Sequence, residues 1–159
     1  MEAGHLKPDL HKIKAAEFLS SAVESFRPLF EEKGVELAVE TGNSGAMEFS
    51  ADSSLLRRVV ENLLANAWKF TPKGGKVTAS IGAKAGALVF TVADTGPGIP
   101  SGQLEAVFEK YKRLNSGEGE AGFGLGLAIA RKIVALHGGR IWAESPGTGG
   151  SLFSFLIPR

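Results

Sequence analysis

The chain switches between two hydrophobic periods in an order that few architectures accommodate. Residues 15–33, AAEFLSSAVESFRPLFEEK, repeat apolar side chains at helical intervals, with Pro28 inside the pattern as a kink and Gly34 as the stop. VELAVE (35–40) alternates as a strand does, and AMEFSA (46–51) is a shorter strand. Asp52 is placed to cap a second helix that runs to Phe70 and ends at Thr71–Pro72. KVTASI (76–81) and ALVFTVAD (87–94) form a hairpin across Gly82–Gly86. A polar stretch over 101–121, with a short helical piece at its start, precedes a third helix from about Phe123 to His137, broken at Gly138–Gly139. GRIWAES (139–145) and GSLFSFLI (150–157) close the chain as strands. Strands in adjacent pairs with helices between them predict a mixed sheet covered on one face by helices, a two-layer α/β sandwich. A doubly wound parallel sheet needs strict strand–helix alternation, which is missing.

Composition narrows the function classes. The 159 residues suit one domain, and a formal net charge of +1 supplies no long-range attraction to nucleic acid or to an acidic membrane. No stretch approaches the ~20 apolar residues of a spanning helix. The N-terminus, MEAGHLKPDLHKIK, lacks the apolar core of a signal peptide. Without cysteine there is neither a disulfide framework nor a thiolate metal site. These features fit a cytoplasmic domain.

The second helix carries polar residues where a surface helix would not need them. Leu55, Leu56, Val59, Val60, Leu63, Leu64 and Ala67 fill one apolar face. Asn62, Asn66 and Lys69 fall in a sector roughly 60° wide on its border, where an amide must find partners. Asparagine costs helix propensity, so two of them one turn apart call for a reason. Neutral amide oxygens can ligate a hard, partly hydrated magnesium ion, and a lysine can meet phosphate.

Two glycine-rich stretches carry further signals. In VADTGPGIP (92–100), Asp94 ends a buried strand, and Gly96, Pro97, Gly98 and Pro100 hold the loop that follows. The stretch reads either as a β-turn or as a carboxylate presented to a ligand by a stiffened loop, and it does not choose between them alone. Gly122, Gly124 and Gly126 precede the third helix, where unpaired N–H groups make an anion site. They miss the dinucleotide fingerprint, because Leu127 stands at its last glycine and a loop, not a strand, comes before.

Together these pieces resemble the catalytic and ATP-binding domain of sensor histidine kinases, within the superfamily of gyrase, heat-shock chaperone and mismatch-repair ATPases. RRVVENLLANAWKFTP looks like the family's N-box, DTGPGIP like its first glycine box and VFEKYKRL like its F-box. GFGLGLAIARKIVALHGGRIWAESPGTGGSLFSFLIP looks like the second glycine box with the closing strands. The four motifs stand in the family's order and cover nearly the whole chain from about residue 12. The resemblance implies the Bergerat fold: a mixed, mostly antiparallel sheet of about five strands under about three helices. It also implies an ATP-binding catalytic domain over 12–159 and, over 1–11, an N-terminal tail or the remnant of a linker from a dimerisation and histidine domain.

The resemblance assigns roles position by position. Asp94 would accept from the adenine amino group, with Gly96 and Gly98 letting backbone approach the base and Ile99 beside it. Asn66 would hold magnesium with Asn62 nearby, Lys69 would reach the phosphates, and Phe70, often Tyr in the family, would pack on base or sugar. Gly122, Phe123, Gly124, Leu125, Gly126 and Leu127 would line the triphosphate. Residues 101–121 would form the ATP lid, docked by Phe108, with Arg113 at the γ-phosphate. Ser151 stands where relatives often carry Thr near adenine. The catalytic set is then Asn62, Lys69 and Arg113, with ATP and magnesium as the cofactors.

One position separates kinase from hydrolase. Hydrolytic relatives place a base glutamate four residues before the magnesium-binding asparagine; here that residue is Asn62, which is no base near neutral pH. Glu61 points ~100° away around the helix. The reading is therefore phosphoryl transfer to a histidine, against a conformational ATPase, an anti-sigma-type serine kinase or a non-catalytic interaction domain of the same fold. His5, His11 and His137 do not fit the family's acceptor motif. The expected partners are a separate dimerisation and histidine-phosphotransfer domain and, indirectly, a response regulator, with no nucleic acid or membrane contact and a monomeric isolated domain. Trp68, opposite the apolar stripe, is a possible docking residue.

Overall fold

A computed structural model describes residues 7–109, 126–146 and 149–158, with the side chains of 44 and 45 excepted. The chain enters through strand β1 (His11–Lys14), followed by helix α1 (Ala15–Glu24) and helix α2 (Arg27–Lys33). Strand β2 (Glu36–Glu40), a short 3-10 turn and strand β3 (Glu48–Ala51) lead into helix α3 (Ser53–Phe70). Strands β4 (Lys76–Lys84) and β5 (Ala87–Asp94) follow, then two 3-10 turns, helix α4 (Gly126–Leu136), and strands β6 (Arg140–Glu144) and β7 (Ser151–Pro158).

The single long helix predicted over 15–33 is two helices. Pro28 lies in the first turn of α2, where its missing N–H would have no intrahelical partner, so it starts a helix and does not kink one. Gly34 closes α2 at φ 82°, as predicted. Asp52 caps α3 through Oδ1, which accepts from the Leu55 N–H at 3.1 Å. The hairpin is tighter than expected: β4 runs to Lys84, and only Ala85 and Gly86, both at positive φ, make the turn.

The main sheet has the order β2-β4-β5-β7-β6, with β2 parallel to β4 and every other pair antiparallel. The predicted strand near 46–51 does not join it. β3 pairs antiparallel with β1, a strand the sequence reading did not assign, in a separate two-stranded sheet. One face of the main sheet supplies Val77, Ala79, Leu88, Phe90, Val92, Phe153, Phe155 and Ile157 to a single core shared with the buried stripes of α1, α3 and α4. Phe90 stacks on Phe155 with centroids 4.9 Å apart, and Phe18 and Phe49 meet Phe90 at steeper angles. The opposite face alternates to half-exposed residues such as Thr78, Ser80 and Thr91. Such alternation marks a sheet covered on one side. Among the described residues no helix is long and apolar enough to cross a membrane.

Candidate nucleotide site

Strand register builds the site around Asp94. It ends the central strand β5, directly opposite Ser151 at the start of β7. Both carboxylate oxygens are held: Oδ1 accepts from the Gly96 N–H at 2.8 Å and Oδ2 from the Ser151 hydroxyl at 2.7 Å. Ser151 is only 6 % exposed. Each oxygen keeps a second lone pair, so the carboxylate can still accept from a ligand while its orientation is fixed.

The loop after Asp94 is packed against the turn that precedes β7. Gly150 donates to the Gly96 carbonyl, and the Ser145 hydroxyl donates to the Gly150 carbonyl at 3.0 Å while accepting from the Ile99 N–H at 3.1 Å. At Gly96 a Cβ would stand 2.7 Å from the Phe70 carbonyl, so only glycine lets the loop lie against the end of α3. Gly98 adopts φ 86°, which favours glycine again. Thr95 fixes the start of the loop, its Oγ1 accepting from the Lys76 N–H at 2.9 Å. Ser145 and Thr95 were not anticipated, since each works on backbone far away in the chain.

The α3 stripe faces the same region. Asn62 donates from Nδ2 to the Gly126 carbonyl at 2.9 Å, tying α3 to the described start of α4. Asn66 is 6 % exposed, and among the described residues its amide makes no side-chain hydrogen bond. An amide at a buried residue with no partner among the described residues suits a ligand. One neutral oxygen suits magnesium, which keeps several waters and takes few protein ligands. No group of three or more His, Cys, Asp or Glu able to hold a metal exists among the described residues. Lys69 is exposed, with no ion pair among the described residues, and Phe70 is half-buried beside the Asp94 loop. Glu61 turns to the α1 side, where Arg57 Nε pairs with its Oε2 at 3.0 Å and Arg57 also donates to Ser21.

Phe108 is 3 % exposed and packs edge-on to Phe153, with the Arg131 guanidinium over the Phe108 ring at 5.9 Å from its centroid. Leu127 is fully buried on α4, so it serves the core, and Gly126 stands beside Asn62. Arg113, Gly122, Phe123, Gly124 and Leu125 lie outside the described residues. Trp68 is half-buried: its indole N–H donates to the Leu29 carbonyl at 3.0 Å, and the Lys33 ammonium lies 5.0 Å from its ring.

Comparison with known proteins agrees with this fold. The family described as histidine kinase-, DNA gyrase B- and HSP90-like ATPase matches residues 51–159. The adaptive-response sensory kinase SasA of Rippkaea orientalis is 41 % identical over 137 residues, covering 86 % of this chain and 35 % of that protein. The chain thus spans about a third of the length of that relative. The nucleotide-free catalytic domain of histidine kinase ThkA superposes with a TM-score of 0.84 at 28 % identity, covering 94 % of this chain and 95 % of that one. ThkA has also been solved with the response regulator protein TrrA. Full-length ShkA in complex with AMPPNP gives a TM-score of 0.86 at 30 % identity, over 96 % of this chain and 32 % of that one. With its five-stranded mixed sheet, its Asp94 loop and its asparagine-bearing α3, the chain belongs to the histidine kinase-, DNA gyrase B- and HSP90-like ATPase family.

Proposed function

We propose that this chain is the ATP-binding catalytic domain of a sensor histidine kinase. It binds ATP with magnesium and donates the γ-phosphoryl group to a histidine on a separate dimerisation domain, which then serves a response regulator. The reading places the domain in the cytoplasm. The observation that carries it is the state of residues 61 and 62. Asn62 is neutral and spends its amide N–H on the Gly126 carbonyl, while the Glu61 carboxylate is engaged by Arg57 on the α1 side. Neither residue offers a free carboxylate to activate water, so transfer to an external acceptor is favoured over hydrolysis.

Catalysis in such a site is positioning and charge neutralisation. Asp94, oriented by Gly96 and Ser151, would accept from the adenine amino group and reject guanine, which presents a carbonyl there. Asn66 would hold magnesium, which when bound neutralises charge between the phosphates. Lys69 would meet the phosphates from the exposed end of α3, and Arg113 the γ-phosphate. Phe108 would anchor the lid over 101–121 through its seat against Phe153.

The test uses γ-labelled ATP, this chain and a separately made histidine-bearing domain. Acid-labile, base-stable label on the added domain is expected. Label that stays in free phosphate, with none on the acceptor, would favour the hydrolase. Asp94→Ala and Asn66→Asp should each abolish nucleotide binding or transfer, and unchanged titrations for both would remove the site assignment.

A further inference from the structure

A helix cap needs one side-chain oxygen, and Asp52 supplies it through Oδ1 to the Leu55 N–H. The rest of the residue is engaged elsewhere. Its Oδ2 accepts from the Asp9 N–H at 2.9 Å, 43 positions earlier in the chain. Its own N–H donates to Nε2 of His137 at 3.0 Å, 85 positions later. The His137 ring is oriented in turn by Nδ1, 2.8 Å from the Ile133 carbonyl in the last turn of α4. With Nε2 accepting, Nδ1 is the donor, which sets the tautomer.

Farther along the same two helices, Asn62 in the middle of α3 holds the carbonyl of Gly126 at the start of α4. The start of α3 therefore meets the end of α4, and the middle of α3 meets the start of α4, so the helices run antiparallel. Roughly ten residues separate the two ties along each helix, or ~15 Å at 1.5 Å per residue. One tie lies among the proposed nucleotide residues. The other lies at Asp52, beside the segment Lys7–Leu10 that leads into β1. A pair of helices tied at two levels moves as a unit between them, so a displacement at Asp52 is felt at Asn62 and Gly126.

We propose that Asp52 is a positioning residue that couples the entering segment Lys7–Leu10, through His137 and the α3 cap, to the nucleotide end of α3 and α4. The coupling rests on the nucleotide reading above. Asp52 is then the point where the placement of the segment Lys7–Leu10 reaches the ATP site. By linkage, nucleotide binding favours the seated arrangement of that segment to the same extent.

Asp9→Pro removes the N–H donor, because proline has none, whereas Asp9→Ala keeps it and removes only the carboxylate that pairs with His11. His137→Phe removes the ring acceptor. Asp52→Asn keeps an oxygen for Leu55 but turns an NH2 group toward the Asp9 N–H. Mg-ATP affinity is read by calorimetry and amide exchange over Ala130–Val134 by mass spectrometry, both on the full chain. Asp9→Pro and His137→Phe should weaken Mg-ATP roughly two- to tenfold, the range spanned by one hydrogen bond, and speed exchange in α4. Asp9→Ala should do neither, and Asp9→Pro added to Asp52→Asn should cost nothing further. If Asp9→Pro and His137→Phe match Asp9→Ala on both readouts, or only lower the melting temperature, the coupling is refuted and Asp52 is a helix cap alone. A wild-type chain that fails to bind Mg-ATP overturns the nucleotide reading, while the exchange comparison, which needs no nucleotide, still decides the coupling.

Discussion

Replacing Ser151 by alanine removes one hydroxyl and tests the geometry of the Asp94 acceptor. The Ser151 hydroxyl is 2.7 Å from Oδ2 of Asp94, and its residue is 6 % exposed. A hydrogen bond to a charged group contributes ~1.5–3 kcal/mol. Asp94 is half-buried, so water can replace the lost donor and the lower end, ~1.5 kcal/mol, applies. For a domain of this size that is a fall of about 3–6 °C in melting temperature. The Gly96 N–H still holds Oδ1, but the carboxylate is free to swing about it, and the purine acceptor loses its aim. Mg-ATP affinity should fall about tenfold, equivalent to ~1.4 kcal/mol. Ser151→Thr keeps the hydroxyl on a strand residue and should bind as the wild type does. Thermal melts and calorimetric titrations on the three proteins decide the matter. An alanine variant that melts earlier yet titrates like the wild type shows that the hydroxyl only holds β5 to β7; no change in either quantity refutes the bond itself.

Three further outcomes follow from local geometry. At Gly139 a Cβ would lie 1.9 Å from the Leu156 carbonyl, so Gly139→Ala should cost at least ~3 kcal/mol in chemical denaturation, whereas Gly82→Ala, with open space around it, should change stability by under ~1 kcal/mol. Ala85 holds φ 49° in the β4–β5 turn, so Ala85→Asn should stabilise the chain by up to ~1 kcal/mol in the same assay and leave nucleotide titrations unchanged. Burial pushes the Asp52 carboxyl up, but the N–H groups of Asp9, Leu55 and Ser54, joined by the charge of the His137 ring once that ring is protonated, outweigh it and hold the carboxyl below its ordinary value. A carboxyl lowered on folding stabilises the chain above its unfolded pKa, and that contribution is lost as pH falls through the folded one. The gap in melting temperature between wild type and Asp52→Asn should therefore be full near neutrality and close as pH drops below ~4.

Much of this was legible in the order of residues because the physics involved is local. The caps at Gly34 and Asp52 and the stop at Thr71–Pro72 depend on backbone preferences and contacts within a turn or so. The α3 stripe could be read from the helical period, and Asn66 stands buried where that period puts it. Pro28 shows the limit even of local reading. The same residue is compatible with a kink or with a first turn, and in the folded chain it stands in the first turn.

What escaped was set by segments that meet only after folding. HKIK is four residues long with no apolar alternation, and it is a strand because β3 lies beside it, 40 positions on at the His11–Ala51 pair and 34 at the Lys14–Glu48 pair. The parallel pairing of β2 with β4 leaves no local mark, since it depends on where the chain returns after α3. The bonds from Ser151 to Asp94, from Asn62 to Gly126 and from Asp52 to His137 join residues 57, 64 and 85 positions apart. Sequence alone therefore determined which residues are the candidates for holding a nucleotide and most of the elements that bear them, because composition, period and capping act over a few residues. Only the tertiary structure decided how those residues are aimed, because a hydrogen bond ~3 Å long cannot exist until sheet register and helix packing have brought its two ends together.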